Sequence, residues 1–433
     1  MHGMFDANPD QPKVLIIYER SGMGHEVMAT ILAEQILPNA EVEIVKSTIT
    51  ELLQDPFSEW LTKTWVAAWN FFMRHNWSNV ADALINYGMR LLLLPIGEVS
   101  AVKAVHQALD QLAPDILICT ADTAGKCLGS WAKAQQIPFF LIITDLSIFI
   151  DLVSPDAIHL CYFPETVTAI HSFPLTLTYW SSELNRSSSL FSKLQFIGRY
   201  LHDFVIHYAQ NRIYRNIDRN YPSQNQVACQ VIGPLREAKH FTPRNQKTLR
   251  RQFDLPPTAT CILVISGSLG GHFCIKSLKA LQQLTFGDGV VIVACGQDQP
   301  LRTKVDRLAA QTPNCQVRSL GFVDNLHEWM SAVDVVLARP SAGVLLEALL
   351  ARTPLLLPNH AAANDRGAVS FVENHQLGEC FRNWQDLQLK LDRLLNEKAH
   401  YQRRIDALLK NYPSTFEAQR IHLRQILLNS LRR

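Results

Sequence analysis

The sequence predicts an α/β protein of two parallel-sheet domains facing a cleft, and three observations carry that reading. Short apolar runs rich in Val, Ile and Leu, such as Lys13–Tyr18, Thr260–Ile265, Val290–Gly296 and Val335–Ala338, have the length and continuity of strands buried on both faces of a parallel sheet. Glycine or other small residues follow several of these runs and lead into stretches with helical spacing of apolar positions. The chain's 433 residues and 47% hydrophobic content suffice for two such cores.

Composition excludes several classes. A formal charge of +2 gives no global field for nucleic acid, so no nucleic-acid partner is expected. Nine cysteines run from Cys119 to Cys380 without a Cys-x-x-Cys pair, which leaves out the commonest zinc spacings and fits a reducing compartment. Met1 to Pro12 carries Asp6 and Asp10 with no apolar core, unlike a signal peptide. The most apolar stretch, Ile137 to Ile150, is interrupted by Asp145, short of the roughly 18 residues of a spanning helix. A soluble or peripherally bound protein is expected.

In the first half, Lys13–Tyr18 runs into Glu19-Arg-Ser-Gly-Met-Gly-His25, and a helix follows with Ala29, Leu32, Ala33 and Ile36 on one face. His25 stands at the mouth of that helix, where the dipole favours the neutral imidazole that accepts a proton. A histidine near a helix start also serves as an ordinary structural group, and the residues alone leave both readings open. Trp60 to Pro95 crowds Trp60, Trp65, Trp69, Phe71, Phe72 and Trp77 among Lys63, Arg74, His75 and Arg90. That composition suits either an interfacial helix or a large-residue pair packed on the sheet. Asp115–Thr120 and Phe139–Asp145 are further strands, with Ala124–Gln135 a helix between them. Strand ends in a parallel sheet face the cleft, so Asp122 and Asp145 are placed to orient His25 or to bind an acceptor; helix capping is the plainer role, above all for Asp122.

In the second half, Thr260–Ile265 delivers Ser266-Gly-Ser-Leu-Gly-Gly271. Gly267, Gly270 and Gly271 let backbone N–H groups close on a diphosphate, and Ser268 adds a hydroxyl donor. Val335–Ala338 leads through Pro340-Ser341-Ala342-Gly343 into a helix over Val344–Ala351, a second phosphate-suited helix start. Glu347 lies one turn in, positioned to accept two ribose hydroxyls, although a first-turn Glu also simply complements the dipole. Thr353–Pro358 is the next buried strand, followed by polar Asn359, His360, Asn364, Asp365 and Arg366. From Leu387 to Arg433 the pattern is amphipathic helix.

The runs Gly321-Phe322-Val323-Asp324-Asn325-Leu326-His327-Glu328-Trp329-Met330, Arg339 to Leu349, Asn364-Asp365-Arg366-Gly367 and Val372-Glu373-Asn374 resemble the nucleotide-sugar half of the diacylglycerol glycosyltransferases of glycosyltransferase family 28. Ser21-Gly-Met-Gly-His25, Thr144-Asp145-Leu146, Cys161-Tyr-Phe-Pro-Glu165 and Val231-Ile-Gly-Pro-Leu-Arg236 resemble that family's first-domain landmarks. The resemblance implies a GT-B fold, a UDP-sugar donor and inversion at the anomeric carbon. It implies His25 as general base with Asp145 beside it, phosphates on Ser268, Gly270, Gly271 and Ser341–Gly343, ribose on Glu347, uracil near Phe322, and sugar hydroxyls on Asn364, Asp365 and Arg366. It also implies a membrane lipid acceptor such as diacylglycerol, an anionic membrane surface as partner, and a place on the cytoplasmic face of the membrane. Nothing resembles an Asp-x-Asp pair serving a donor diphosphate, so no obligatory metal and no cofactor are expected.

Several positions depart from the family pattern. Ser21 and Met23 stand for glycines, Ser341 and Ala342 for Gly-Pro, Asn364 and Asp365 for Gln-Glu, and Ile148 to Leu152 for a His and a Trp. An insertion at about 176–225 carries Trp180 and Arg199, Arg212, Arg215 and Arg219. The expected domains are 1–240 for the acceptor and membrane, 241–387 for the UDP-sugar, and 388–433 as helices returning to the first. The same landmarks suit two other readings: a UDP-GlcNAc transferase to a polyprenyl-linked acceptor, and a catalytically silent GT-B membrane scaffold.

Overall fold

A computed structural model of the chain describes residues 11–19, 24–37, 42–53, 102–121, 124–148, 152–172, 227–267, 271–284, 289–312, 315–359, 361 and 365–432, with isolated positions between 56 and 80. Asp122, Ser268, Gly270, Asn364, the insertion at 176–225 and most of Trp60–Pro95 lie outside the described residues.

Two six-stranded sheets form the frame. The first orders its strands β2-β1-β3-β4-β5-β6, from β1 (Lys13–Tyr18), β2 (Glu43–Thr48), β3 (Ile116–Cys119), β4 (Phe139–Ile143), β5 (Ile158–Cys161) and β6 (Ala228–Val231). The second orders β12-β11-β10-β7-β8-β9, from β7 (Cys261–Ile265), β8 (Val290–Gly296), β9 (Gln316–Gly321), β10 (Val335–Ala338), β11 (Leu355–Pro358) and β12 (Gly378–Phe381). Every pairing between these strands is parallel. The central strands are the ones whose apolar runs stand out in the sequence: Leu15 to Ile17, Ile116 to Cys119 and Cys261 to Val264 are fully buried. Helices cover both faces, as a parallel sheet requires.

The edge strands of the first sheet read differently. Glu43–Thr48 mixes charge with apolar residues and is largely half-buried, and Ala228–Val231 alternates exposed and half-buried positions. One face of an edge strand meets solvent, so no continuous apolar run is needed. β5 is interior but carries His159, fully buried, whose Nε2 accepts from the Ser154 N–H at 3.1 Å and whose Nδ1 donates to Ala228 C=O at 3.1 Å.

Each sheet reverses its winding once, between β1 and β3 in the first and between β7 and β10 in the second. Ligand crevices of open parallel sheets lie beyond the C-terminal strand ends at such points. Helices α1 (Gly24–Ile31), α2 (Gly271–Leu281) and α3 (Ala342–Leu350) start there. Helix α4 (Arg366–His375) begins after β11, and α5 (Phe416–Leu428) is the last long helix described.

The two sheets share a contact surface. Phe163 packs on Phe371 with ring centroids 4.3 Å apart and meets Tyr412 edge-on at 5.7 Å. Glu165 reaches His375 Nε2 at 2.6 Å, and the Gly367 N–H donates to Ser147 Oγ at 2.8 Å. On α5, fully buried Gln419 donates to Ile232 C=O, and Arg424 donates to Ile36 C=O at 3.3 Å and Leu37 C=O at 3.1 Å.

Candidate functional site

At the first reversal, His25 is the second residue of α1. His25 is 7% exposed, and its Nδ1 lies 2.5 Å from Thr120 C=O at the end of β3. A carbonyl only accepts, so Nδ1 carries the proton and the basic lone pair sits on Nε2. Thr120 Oγ1 donates back to His25 C=O at 3.0 Å, and Thr144 Oγ1, at the end of β4, lies 3.3 Å from Nδ1. The ends of β3 and β4 thus hold one imidazole, in one tautomer. Asp145 follows Thr144 in the same loop, half-buried, and its charge reaches Tyr162. Burial pushes the Tyr162 phenol up to about 12; Arg236 opposes this and Asp145 adds to it, so both charges face that ring.

At the second reversal, Gly267 follows β7 with φ +68°, a left-handed conformation that glycine adopts without strain. Nothing lies within 4 Å of where its Cβ would be, so the turn opens on free space. Gly271 begins α2. Ser341 caps α3, its Oγ accepting from the Val344 N–H at 3.4 Å, and Ala342 and Gly343 form the first helical residues. The small residues leave the helix start accessible to an anion.

Arg236 reaches this helix start, and Arg339 stands two residues before its cap. Arg236, 5% exposed, sends Nε to within 3.5 Å of Glu347 Oε1 without a hydrogen bond. Its Nη2 lies so near Gly343 that a Cβ there would stand 2.8 Å away. Arg339 places Nε 3.5 Å from Asp365 Oδ2, and both Nε and Nη1 lack a hydrogen-bond partner. A guanidinium beside the positive end of a helix is unfavourable on its own; an anion between them removes the conflict. Burial raises the Glu347 carboxyl above the usual carboxylate range, while Arg236 pulls it back. Both arginines were visible as the last residue of the Val231–Arg236 landmark and the residue after β10. Nothing local to either marks it as reaching Glu347 or Asp365, because those pairings are made by the fold.

The remaining expected residues are placed by the strands and helices that carry them. Asp365 is buried and directly precedes α4, whose first residue is Arg366. Phe322 follows β9 with its ring 69% exposed, on the far edge of the second sheet. His327, in the helix after that loop, lies with its ring centroid 4.9 Å from that of His240, the two planes tilted at 49°. In the aromatic segment Trp60, Phe71 and Trp77 are about half exposed or more, and Phe71 contacts both His75 at 4.3 Å and Trp77 at 6.3 Å. Among the described residues no helix is long and apolar enough to cross a membrane.

Comparison with known proteins bears on what this arrangement is. No family model matches the chain. Monogalactosyldiacylglycerol synthase 1 of Arabidopsis thaliana is 21% identical over 399 residues, covering 86% of this chain and 62% of that protein. The processive diacylglycerol beta-glucosyltransferase of Bacillus licheniformis is 26% identical over 202 residues, 40% of this chain and 50% of its own length. The chain spans about half the length of several curated relatives it matches. Among solved structures, Acinetobacter baumannii MurG superposes with a TM-score of 0.56 at 14% identity, over 97% of this chain and 99% of that one. A glucosyltransferase of Polygonum tinctorium gives 0.56 at 12%, over 99% and 100%. The solved structures show a GT-B fold, and the sequence relatives show that the chain is similar to the diacylglycerol glycosyltransferases.

Proposed function

We propose that this chain is an inverting glycosyltransferase that moves a hexose from a UDP-sugar to the hydroxyl of a diacylglycerol-type membrane lipid. The observation that carries the reading is the pairing of two complementary chemistries at the two sheet reversals: a histidine held in the proton-accepting tautomer, and a helix start flanked by two arginines and a glutamate. The named activities of the relatives support it.

In this reading the donor diphosphate lies between the Gly267–Gly271 turn and the start of α3, with Arg236 and Arg339 as counter-charges. Glu347 accepts the ribose hydroxyls. Asn364, Asp365 and Arg366 hold the sugar, and the backbone near Phe322 receives the uracil. His25 Nε2 takes the acceptor proton as the lipid oxygen attacks the anomeric carbon from the face opposite UDP. The new C–O bond forms while the bond from the anomeric carbon to the β-phosphate oxygen breaks, and the charge that develops there meets N–H donors and guanidiniums already in place. Each such donor is typically worth a few kcal/mol. The exposed aromatics of the 60–80 segment, with the basic residues among them, supply a surface for an anionic bilayer.

Purified protein with anionic vesicles containing diacylglycerol and UDP-Glc, UDP-Gal or UDP-GlcNAc tests the reading. A glycolipid product forms with at least one donor, and His25→Ala lowers kcat by about 10²–10⁴-fold with little change in UDP affinity. The charge on the leaving group is met by the chain's own cations, so the rate in EDTA stays within about twofold. No product from any donor would sink the reading, and collapse of the rate in EDTA would remove its metal-independent form.

A further inference from the structure

We infer that Gly367 is a positioning residue that locks the sugar-binding end of α4 to the loop carrying Thr144 and Asp145, so that the histidine and the donor are held at one separation. The inference rests on the glycosyl-transfer reading above. Gly367 is the second residue of α4, directly after Arg366 and two after Asp365. Its N–H donates to Ser147 Oγ at 2.8 Å across the domain boundary. A Cβ at Gly367 would fall 2.3 Å from the Leu146 carbonyl carbon, 2.4 Å from the Leu146 oxygen and 2.5 Å from the Ser147 nitrogen. All three are backbone atoms, which cannot swing aside as a side chain would. Gly367 is absent from the glycines with positive φ, so space rather than backbone conformation demands glycine here.

The contact joins two groups with separate roles. On one side the loop runs back from Leu146 through Asp145 to Thr144, whose Oγ1 lies 3.3 Å from His25 Nδ1. On the other, Asp365 is buried and paired with Arg339, which lies two residues before the Ser341 cap of α3. A line of contacts therefore crosses the cleft from the general base to the sugar and diphosphate grip, and its narrowest point is the missing Cβ of Gly367. Neighbouring ties, Glu165 to His375 and Phe163 to Phe371, lie further along α4. A methyl group at 367 forces the two sides apart by about 1 Å, a displacement that typically costs about 10²-fold in rate when reacting groups must meet.

Gly367→Ala is expected to lower kcat about 30–100-fold. Calorimetric affinity for UDP, whose proposed contacts are the second-domain turns and Arg236 rather than the Gly367–Leu146 approach, is expected to stay within about twofold. Small-angle scattering is expected to show a larger radius of gyration than wild type. Ser147→Ala, which removes the hydrogen bond but leaves the close approach, is expected to lower kcat only about 3–10-fold. An unchanged kcat or an unchanged radius of gyration in Gly367→Ala overturns the inference. Should that variant not fold, an unchanged kcat in Ser147→Ala overturns it. Scattering and UDP calorimetry need no acceptor, so they judge the contact even if wild type makes no glycolipid, an outcome that would sink the transfer reading instead.

Discussion

Arg236 and Glu347 face one another at 3.5 Å, one from the linker between the sheets and one from α3. In the proposed reading, a bound diphosphate gives Arg236 the anion that its position beside Gly343 calls for, and Glu347 turns to the ribose. Arg236→Ala therefore weakens UDP binding by about 10–100-fold, or about 1.4–2.7 kcal/mol, measured by calorimetry. Arg236→Lys recovers only part of it, because a point charge cannot span both the carboxylate and the phosphate. Burial holds the Glu347 carboxyl above its ordinary value, so its proton returns at a higher pH than for an exposed carboxylate. UDP affinity should fall as pH drops through that raised value, and Glu347→Gln should show a flat profile at the weaker level. An unaltered pH profile in Glu347→Gln would rule out the ribose role. At this scale the sequence exposes residues whose chemistry follows from their neighbours in the chain: Ser341 caps the helix it precedes, and Gly267 turns the strand it follows. Arg236 stays hidden because its partner lies in the other half of the chain, and Gly367 stays hidden because nothing in its own segment shows what presses on it.

Among the elements, Asp334 shows how the second sheet is tied to the helices on either side of it in the chain. Standing just before β10, it accepts from Arg250 Nη2 at 2.7 Å, from the Cys261 N–H at 2.8 Å and from Lys398 Nζ at 2.5 Å. Arg250 is buried and also donates to Ala332 C=O and Ala259 C=O, so its charge has no route to water. Asp334→Asn leaves that cation uncompensated and is expected to cost about 2–4 kcal/mol, read as a lower denaturant midpoint of the second sheet. A shift under about 0.5 kcal/mol would show the pair to be replaceable. Among the strands that the sequence reveals most plainly are β7 and β10, whose burial on both faces needs an unbroken apolar run. β2 and β6 escape notice because an edge strand tolerates Glu43, Lys46 and Gln230, and β5 because a buried histidine with two hydrogen-bond partners substitutes for an aliphatic residue.

For the molecule as a whole, two buried histidines set the response to acid. Burial holds His159 down to about 4, and burial, followed by the charges of His327 and Arg236, holds His240 down to about 3. Both stay neutral in the fold while the unfolded chain, with an ordinary value of 6.5, takes up protons. Stability is therefore full above about pH 6.5 and is lost as pH falls toward 4, by up to about 1.4 kcal/mol per pH unit for each histidine. The thermal midpoint should fall between pH 7 and pH 5 in wild type and fall less steeply in His240→Gln; equal slopes would exclude His240 as a source. The overall architecture is the most legible level, because strand runs, glycine turns and helix periodicity repeat in both halves and each repeat supports the others. The return of α5 to the first sheet bears on how the chain is made. Residues 36, 37 and 232 leave the ribosome long before Gln419 and Arg424, so the surface they share waits uncovered while the whole second sheet is synthesised. During translation the first half is thus a folded body with one open flank, and that interval is when a chaperone or a stray neighbour would find it.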